Sequence, residues 1–164
     1  LIAKMKKQTN VTFRDLTKEQ RSKLMSKIRP KDTKPELLVR KELYSRGLRY
    51  RIHSKKLPGK PDISVRKYNL VIEVRGCFWH GHNNCKNGHL PNSNYEYWSS
   101  KITNNRERDR KNLAELKGLD YKVFELWECE IKNRALLIGS VSAIFDYLVQ
   151  TQNFRIPLEI PYKV

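Results

Sequence analysis

Leu57-Pro-Gly-Lys-Pro-Asp-Ile-Ser-Val-Arg-Lys-Tyr-Asn-Leu-Val-Ile-Glu-Val-Arg75 is the stretch that decides the fold. A turn rich in proline and glycine leads into Asp62-Ile-Ser-Val65, and the polar Arg66-Lys-Tyr-Asn69 separates this from Leu70-Val-Ile-Glu-Val74. β-Branched runs bounded by turn residues read as two strands. Alternation along the second puts Glu73 and Arg75 on one face. The third strand is Tyr121-Lys-Val-Phe-Glu-Leu-Trp127, and Tyr50 to His53 forms a further extended segment.

Helices are predicted around these strands. Thr17-Lys-Glu-Gln20 has capping-box spacing and opens a helix to about Ile28, with Leu24, Met25 and Ile28 on one side and Pro30 ending it. Thr33-Lys-Pro-Glu36 is a second box, leading through Leu37, Leu38, Leu43 and Tyr44 to Gly47. Tyr97 to Leu116 reads as a long charged helix capped by Gly118, and Ala135 to Val149 as a C-terminal amphipathic helix. The order is that of an α/β protein with a mixed central sheet flanked by helices. Residues 17–150 are expected to form a single domain, 1–16 a flexible N-terminal arm and 151–164 a C-terminal tail.

Charge narrows the function. Lys plus Arg number 34 against 17 Asp plus Glu, a net +17 spread along 164 residues. That excess costs self-repulsion, which an anionic polymer relieves, so nucleic acid is the expected partner. With 31% charged residues and no long apolar run, a membrane span is excluded. Three cysteines are an odd number for a disulfide framework, and no apolar signal segment opens the chain. A reducing, cytoplasmic compartment is therefore expected.

The chemistry concentrates in Arg75-Gly-Cys-Phe-Trp-His-Gly-His-Asn-Asn-Cys85. Cys77, His82 and Cys85 have spacings suited to one tetrahedral Zn²⁺, and Cys129, just after the third strand, supplies the fourth ligand. His89 is an alternative to His82. Residues 76–95 are too polar to fold without such a clamp. Asp62, ten intervening residues and then Glu73-x-Arg75 offer hard oxygens for a catalytic Mg²⁺. His80 is suited to proton transfer, or else is a zinc ligand or a surface histidine. The adjacent rings of Phe78 and Trp79 in a basic protein suggest wedging between bases. Together these features point to a nuclease.

Several motifs resemble those of the very short patch repair (Vsr) endonucleases. They are Met25-Ser-Lys-Ile-Arg-Pro-Lys-Asp-Thr33 with Glu36, Leu57 to Asp62, Gly76 to Cys85, Tyr97-Trp-x-x-Lys-Ile102, Asn105-Arg-Glu-Arg-Asp109 and Trp127-Glu-Cys129. The resemblance implies a restriction-endonuclease-like fold of the PD-(D/E)xK type with a structural zinc site. It implies a Mg²⁺-dependent enzyme that nicks one DNA strand beside a T:G mismatch left by deamination of 5-methylcytosine. By position, Asp62 and the backbone carbonyl of Val74 would bind Mg²⁺, His80 would be general base or acid, and Glu36 would hold a metal-bound water. Asn105 and Asp109 would support the site, and Cys77, His82, Cys85 and Cys129 would hold zinc. Phe78, Trp79, Trp98, Met25 and Lys101 would engage DNA beside the mismatch. Best-known members carry Phe, Thr and His where this chain has Glu73, Val74 and Arg75, and an extra residue precedes Cys85. Here the strand is closer to the general nuclease signature, so Glu73 is expected as a metal ligand or a carboxylate behind one. A monomer, mismatch-repair proteins as partners and a nucleoid-associated location complete the expectation. Two alternatives share these residues: a sequence-specific homing or restriction-type double-strand endonuclease, and a zinc-containing DNA-binding module without catalysis.

Overall fold

The computed structural model describes residues 17–26, 31–152 and 154. The expected arm 1–16, the side chain of Met25, Ile28, Pro30 and the tail past Phe154 lie outside the described residues. The chain divides into two compact units, 1–33 and 34–164. In the first, α1 spans Lys18–Met25. Its capping box forms as read: the Thr17 N–H donates to Gln20 Oε1 at 2.8 Å, and the Gln20 N–H donates to Thr17 Oγ1 at 3.2 Å.

The second unit opens with α2, Lys34–Ser45. Gly47 ends it in the left-handed region at φ 86, with the Leu48 N–H donating to the Leu43 carbonyl and the Gly47 N–H to that of Tyr44. This is the Schellman pattern, and glycine adopts it without a Cβ penalty. Strand β1 is Arg51–Ile52, β2 is Ile63–Val65, and a 3₁₀ turn at Arg66–Tyr68 leads to β3, Leu70–Arg75. Then come α3 (Tyr95–Gly118), β4 (Lys122–Trp127), the short α4 (Glu128–Ile131) and α5 (Arg134–Gln152).

The sheet has order β1-β2-β3-β4 and is mixed. β1 and β3 run antiparallel to β2, whereas β4 runs parallel to β3 because α3 carries the chain back between them. One face buries Ile63, Val65, Leu70, Ile72 and Leu126 against Val39 and Leu43 of α2 and Leu137, Val141, Ile144 and Leu148 of α5. Phe154 closes on this side, edge-to-face with Tyr68 and Phe145. The opposite face carries Glu73 and Arg75 toward α3.

One local expectation changes. Gly118 does not cap α3; Asp120 holds the left-handed position at φ 59, and the Tyr121 N–H reaches back to the Leu116 carbonyl. Aspartate tolerates that conformation, so Gly118 is the last helical residue, Leu119 the cap and Asp120 the left-handed residue that closes it. In α2, Leu37, Leu38 and Tyr44 are exposed, and the buried residues are Glu36, Val39, Arg40, Glu42 and Leu43. Pairing between Glu36 and Arg40 at 2.8 Å lets two charged residues occupy an inward face. The turn after β4 winds into α4, which carries Cys129.

Candidate functional site

Two clusters flank the C-terminal half of β3. The first begins at Asp62, one residue before β2, whose Oδ2 accepts the Val74 N–H at 2.8 Å. The Pro-Gly turn that presents it packs against α3: Gly59 has φ +71, and a Cβ there would stand 2.7 Å from Asn112 Nδ2. Only glycine fits that approach. Beside Asp62 lie His53, with Nδ1 4.0 Å from Asp62 Oδ1, and Glu36, with Oε2 3.8 Å from His53 Nε2. Arg40 donates to Glu36 at 2.8 Å and also to His53 Nε2 at 3.1 Å. Because a guanidinium can only donate, this contact makes Nε2 the acceptor and puts the proton of a neutral ring on Nδ1, toward Asp62. Burial pushes the Asp62 carboxyl up, partly offset by the Val74 N–H, and the Glu36 carboxylate adds to the rise. Two acidic groups this placed would be relieved by a cation, and their hard oxygens suit magnesium.

The second cluster is built on the α3 side. His80 Nδ1 meets Asp109 Oδ2 at 2.5 Å, and the same oxygen accepts from Arg75 Nη1 at 3.0 Å. The other end of Arg75 reaches Glu73 Oε2 at 2.5 Å and Glu125 Oε1 at 2.6 Å. Burial works to raise the Asp109 carboxyl, but the hydrogen bond and charge of His80, followed by Arg75 and Arg108, outweigh it and hold the group below the usual carboxylate range. Asp109 is therefore ionised and can only accept, so the proton of this contact sits on Nδ1 of His80. Burial pushes Glu73 in the opposite direction, upward, against the Arg75 guanidinium. A cavity of about 460 Å³ opens beside this cluster, lined by His80, Asp109, Arg106, Arg110 and Trp127.

The thiols converge as their spacing predicts. Ligand atoms of Cys77, His82, Cys85 and Cys129 all lie within 4.8 Å of one another. His82 Nδ1 is 3.6 Å from Cys77 Sγ and 3.4 Å from Cys129 Sγ. A tetrahedron with ordinary zinc–sulfur and zinc–nitrogen bonds has sulfur–nitrogen edges of about 3.5 Å, so the set fits that ion. The His82 ring stacks on Trp127 at 4.0 Å and 3°. Gly88 lies so close to His82 that a Cβ would stand 2.3 Å from its carbonyl oxygen. His89 is not part of the set.

Phe78, Trp79 and Trp98 form one half-buried aromatic group, with centroids 5.1 to 6.1 Å apart and edge-to-face. Lys101 Nζ lies 5.9 Å from the centroids of both tryptophans. Asn105 Nδ2 donates to the Trp79 carbonyl at 2.9 Å, next to His80 in the chain, so it steadies this loop. Sequence reasoning missed His53, Arg40 and Glu125. Glu125 carried a signal, since strand alternation places it opposite Glu73 in a parallel pair. His53 and Arg40 carried none, because 13 residues separate them and only the return of β1 onto α2 joins them.

Residues 14–87 match the family described as DNA mismatch endonuclease Vsr. The chain is 52% identical over 120 residues to the type II nicking enzyme V.NmeAIP of Neisseria meningitidis serogroup A, covering 73% of this chain and 85% of that one. It is 44% identical over 131 residues to the type II nicking enzyme V.XorIIP of Xanthomonas oryzae, covering 80% and 96%. To the DNA mismatch endonuclease Vsr of Escherichia coli it is 39% identical over 120 residues, covering 73% and 76%.

Proposed function

The chain belongs to the DNA mismatch endonuclease Vsr family, and from that premise we propose that it nicks one strand of duplex DNA at T:G mismatches left by deamination of 5-methylcytosine. It is a DNA-nicking endonuclease, and the mixed sheet fits a restriction-endonuclease-like arrangement. One observation supports the choice of site: both clusters attach to three consecutive residues of β3. Asp62 is tied to Val74, while Glu73 and Arg75 on either side lead through Asp109 to His80.

Asp62 and the Val74 backbone would hold Mg²⁺, which when bound neutralises charge on the phosphate and acidifies an attacking water. His80 Nε2 exchanges a proton with the water or the leaving oxygen, while Asp109 keeps the ring in the tautomer that leaves this nitrogen basic. Glu36, held by Arg40, orients water beside Asp62. The rings of Phe78, Trp79 and Trp98, with Lys101 above them, enter the stack at the mismatch. A wobble pair stacks less well than a normal pair, so unstacking there costs less than elsewhere. Zinc would occupy the thiol–imidazole set and hold the loop after β3 to α4. A monomer in the cytoplasm, associated with the nucleoid and with mismatch-repair proteins, suits that role.

The test is a nicking assay on matched duplexes. A T:G duplex should be cut about 10²-fold faster than its C:G counterpart, the upper end of what one base pair contributes to discrimination. Equal rates, or cutting of both strands, would favour a sequence-specific restriction-type enzyme instead. Affinity for duplex DNA should also fall steeply with salt, with a log–log slope on the order of −5 if about six phosphates are neutralised. A flat dependence would remove DNA as the substrate.

A further inference from the structure

We propose that Arg75 is a positioning residue for the nicking reaction: it clamps Asp109, and through it His80, to the strand that also holds Asp62, with Glu73 and Glu125 as its anchors. The assignment rests on the endonuclease reading above. Three observations carry it. Arg75 is buried and spans the cluster, giving Nη1 to Asp109 and Nη2 to both glutamates. Asp109 Oδ2 is shared by Arg75 and His80, so the guanidinium and the imidazole are fixed by one atom. Glu73 and Glu125 sit directly opposite each other on β3 and β4, a like-charge pair that would repel without the cation between them.

This arrangement gives Glu73 a different role from that of a cation ligand. Its carboxylate fixes the far end of Arg75, two residues along the same strand face. A planar guanidinium with separate donor nitrogens can bridge three carboxylates at once, whereas an ammonium is a point charge on a flexible stem. The geometry of His80 thus depends on arginine and not merely on a positive charge at position 75.

The experiment measures kcat and KM for nicking a T:G duplex, with Tm recorded in parallel. Arg75→Lys is expected to lower kcat about 10²-fold while KM stays within about threefold, the mark of a group that serves the transition state and not binding. In Asp109→Ala the clamp has lost its target. Adding Arg75→Lys to that variant should then cost little more, within about threefold of Asp109→Ala alone. Glu125→Gln, at the more exposed edge of the cluster, gives a second route if Arg75→Lys does not fold. It should lower kcat by about tenfold with KM unchanged. Wild-type kcat in Arg75→Lys or in Glu125→Gln, or losses that simply multiply in the double variant, would overturn the assignment. Absence of nicking by the wild type would overturn the endonuclease reading itself, and the clamp with it.

Discussion

Replacing Asp62 by asparagine is expected to slow nicking of a T:G duplex on the order of 10⁴-fold, because a cation's contribution to phosphoryl chemistry is about 5 kcal/mol and each decade of rate is about 1.4 kcal/mol. The asparagine variant separates this loss from misfolding. Its side-chain oxygen can still accept the Val74 N–H that Asp62 accepts at 2.8 Å, so the strand keeps its buried hydrogen bond. Removing the charge also removes a group that burial and Glu36 disfavour in its ionised form, so Tm should hold or rise slightly. Alanine should abolish activity equally but leaves the Val74 N–H unpaired, at a cost of about 1–3 kcal/mol. DNA affinity should change little in either variant, since the phosphate-neutralising charge lies elsewhere. Nicking by Asp62→Asn within tenfold of wild type would remove Asp62 from the site, and with it the Asp62–Val74 half of the proposed mechanism.

The second large effect concerns the thiol set. Purified protein is expected to hold one equivalent of zinc, and stripping it, or changing Cys129 to Ser, should lower Tm by about 10–20 °C. That range corresponds to about 5 kcal/mol at 2–4 °C per kcal/mol for a domain of this size. The reason is topological. One ion would join Cys77, at the exit of β3, to Cys129 in α4, closing the polar stretch 76–94 that has few buried apolar residues of its own. Cys77 is fully buried and its thiol is pushed up to about 12, chiefly by burial. Without a metal it would therefore be a neutral, weakly bonding group beside two other sulfurs and an imidazole. His82 would retain only its stack on Trp127. Limited proteolysis of the metal-free protein should cut within 76–94 first. A protein without bound zinc, or one whose melting ignores a chelator, would contradict this.

Elements whose signals are local were legible in the chain. Thr17 and Gln20 form their reciprocal cap, and Gly47 closes α2 with the hydrogen bonds its position predicts. The strands around Asp62 and Glu73 appear in the places that β-branched runs and turn residues indicate. Cys77, His82, Cys85 and Cys129 could be grouped because thiols are few and their spacing is short. Gly118 misled, because a left-handed residue ends a helix only where the backbone enters that region, and Asp120 does so two residues later. Leu37 and Leu38 are exposed because apolar character alone does not choose the buried side of α2 when Glu36 and Arg40 neutralise each other there.

By itself, the order of residues determined the kinds of element, the mixed α/β class and the inventory of thiols, imidazoles and carboxylates from which a site could be made. Those follow from periodicity and side-chain chemistry, which act over a few positions. Tertiary structure alone decided which groups share an atom. Parallel pairing of β3 with β4 brought Glu125 opposite Glu73, and packing of α3 across that face set Asp109 between Arg75 and His80. The return of β1 placed His53 between Glu36 and Asp62. Arg75 and Glu125, for example, lie 50 positions apart in the chain yet 2.6 Å apart in the fold. Such partners are chosen by sheet register and helix docking, which no local pattern in the chain encodes.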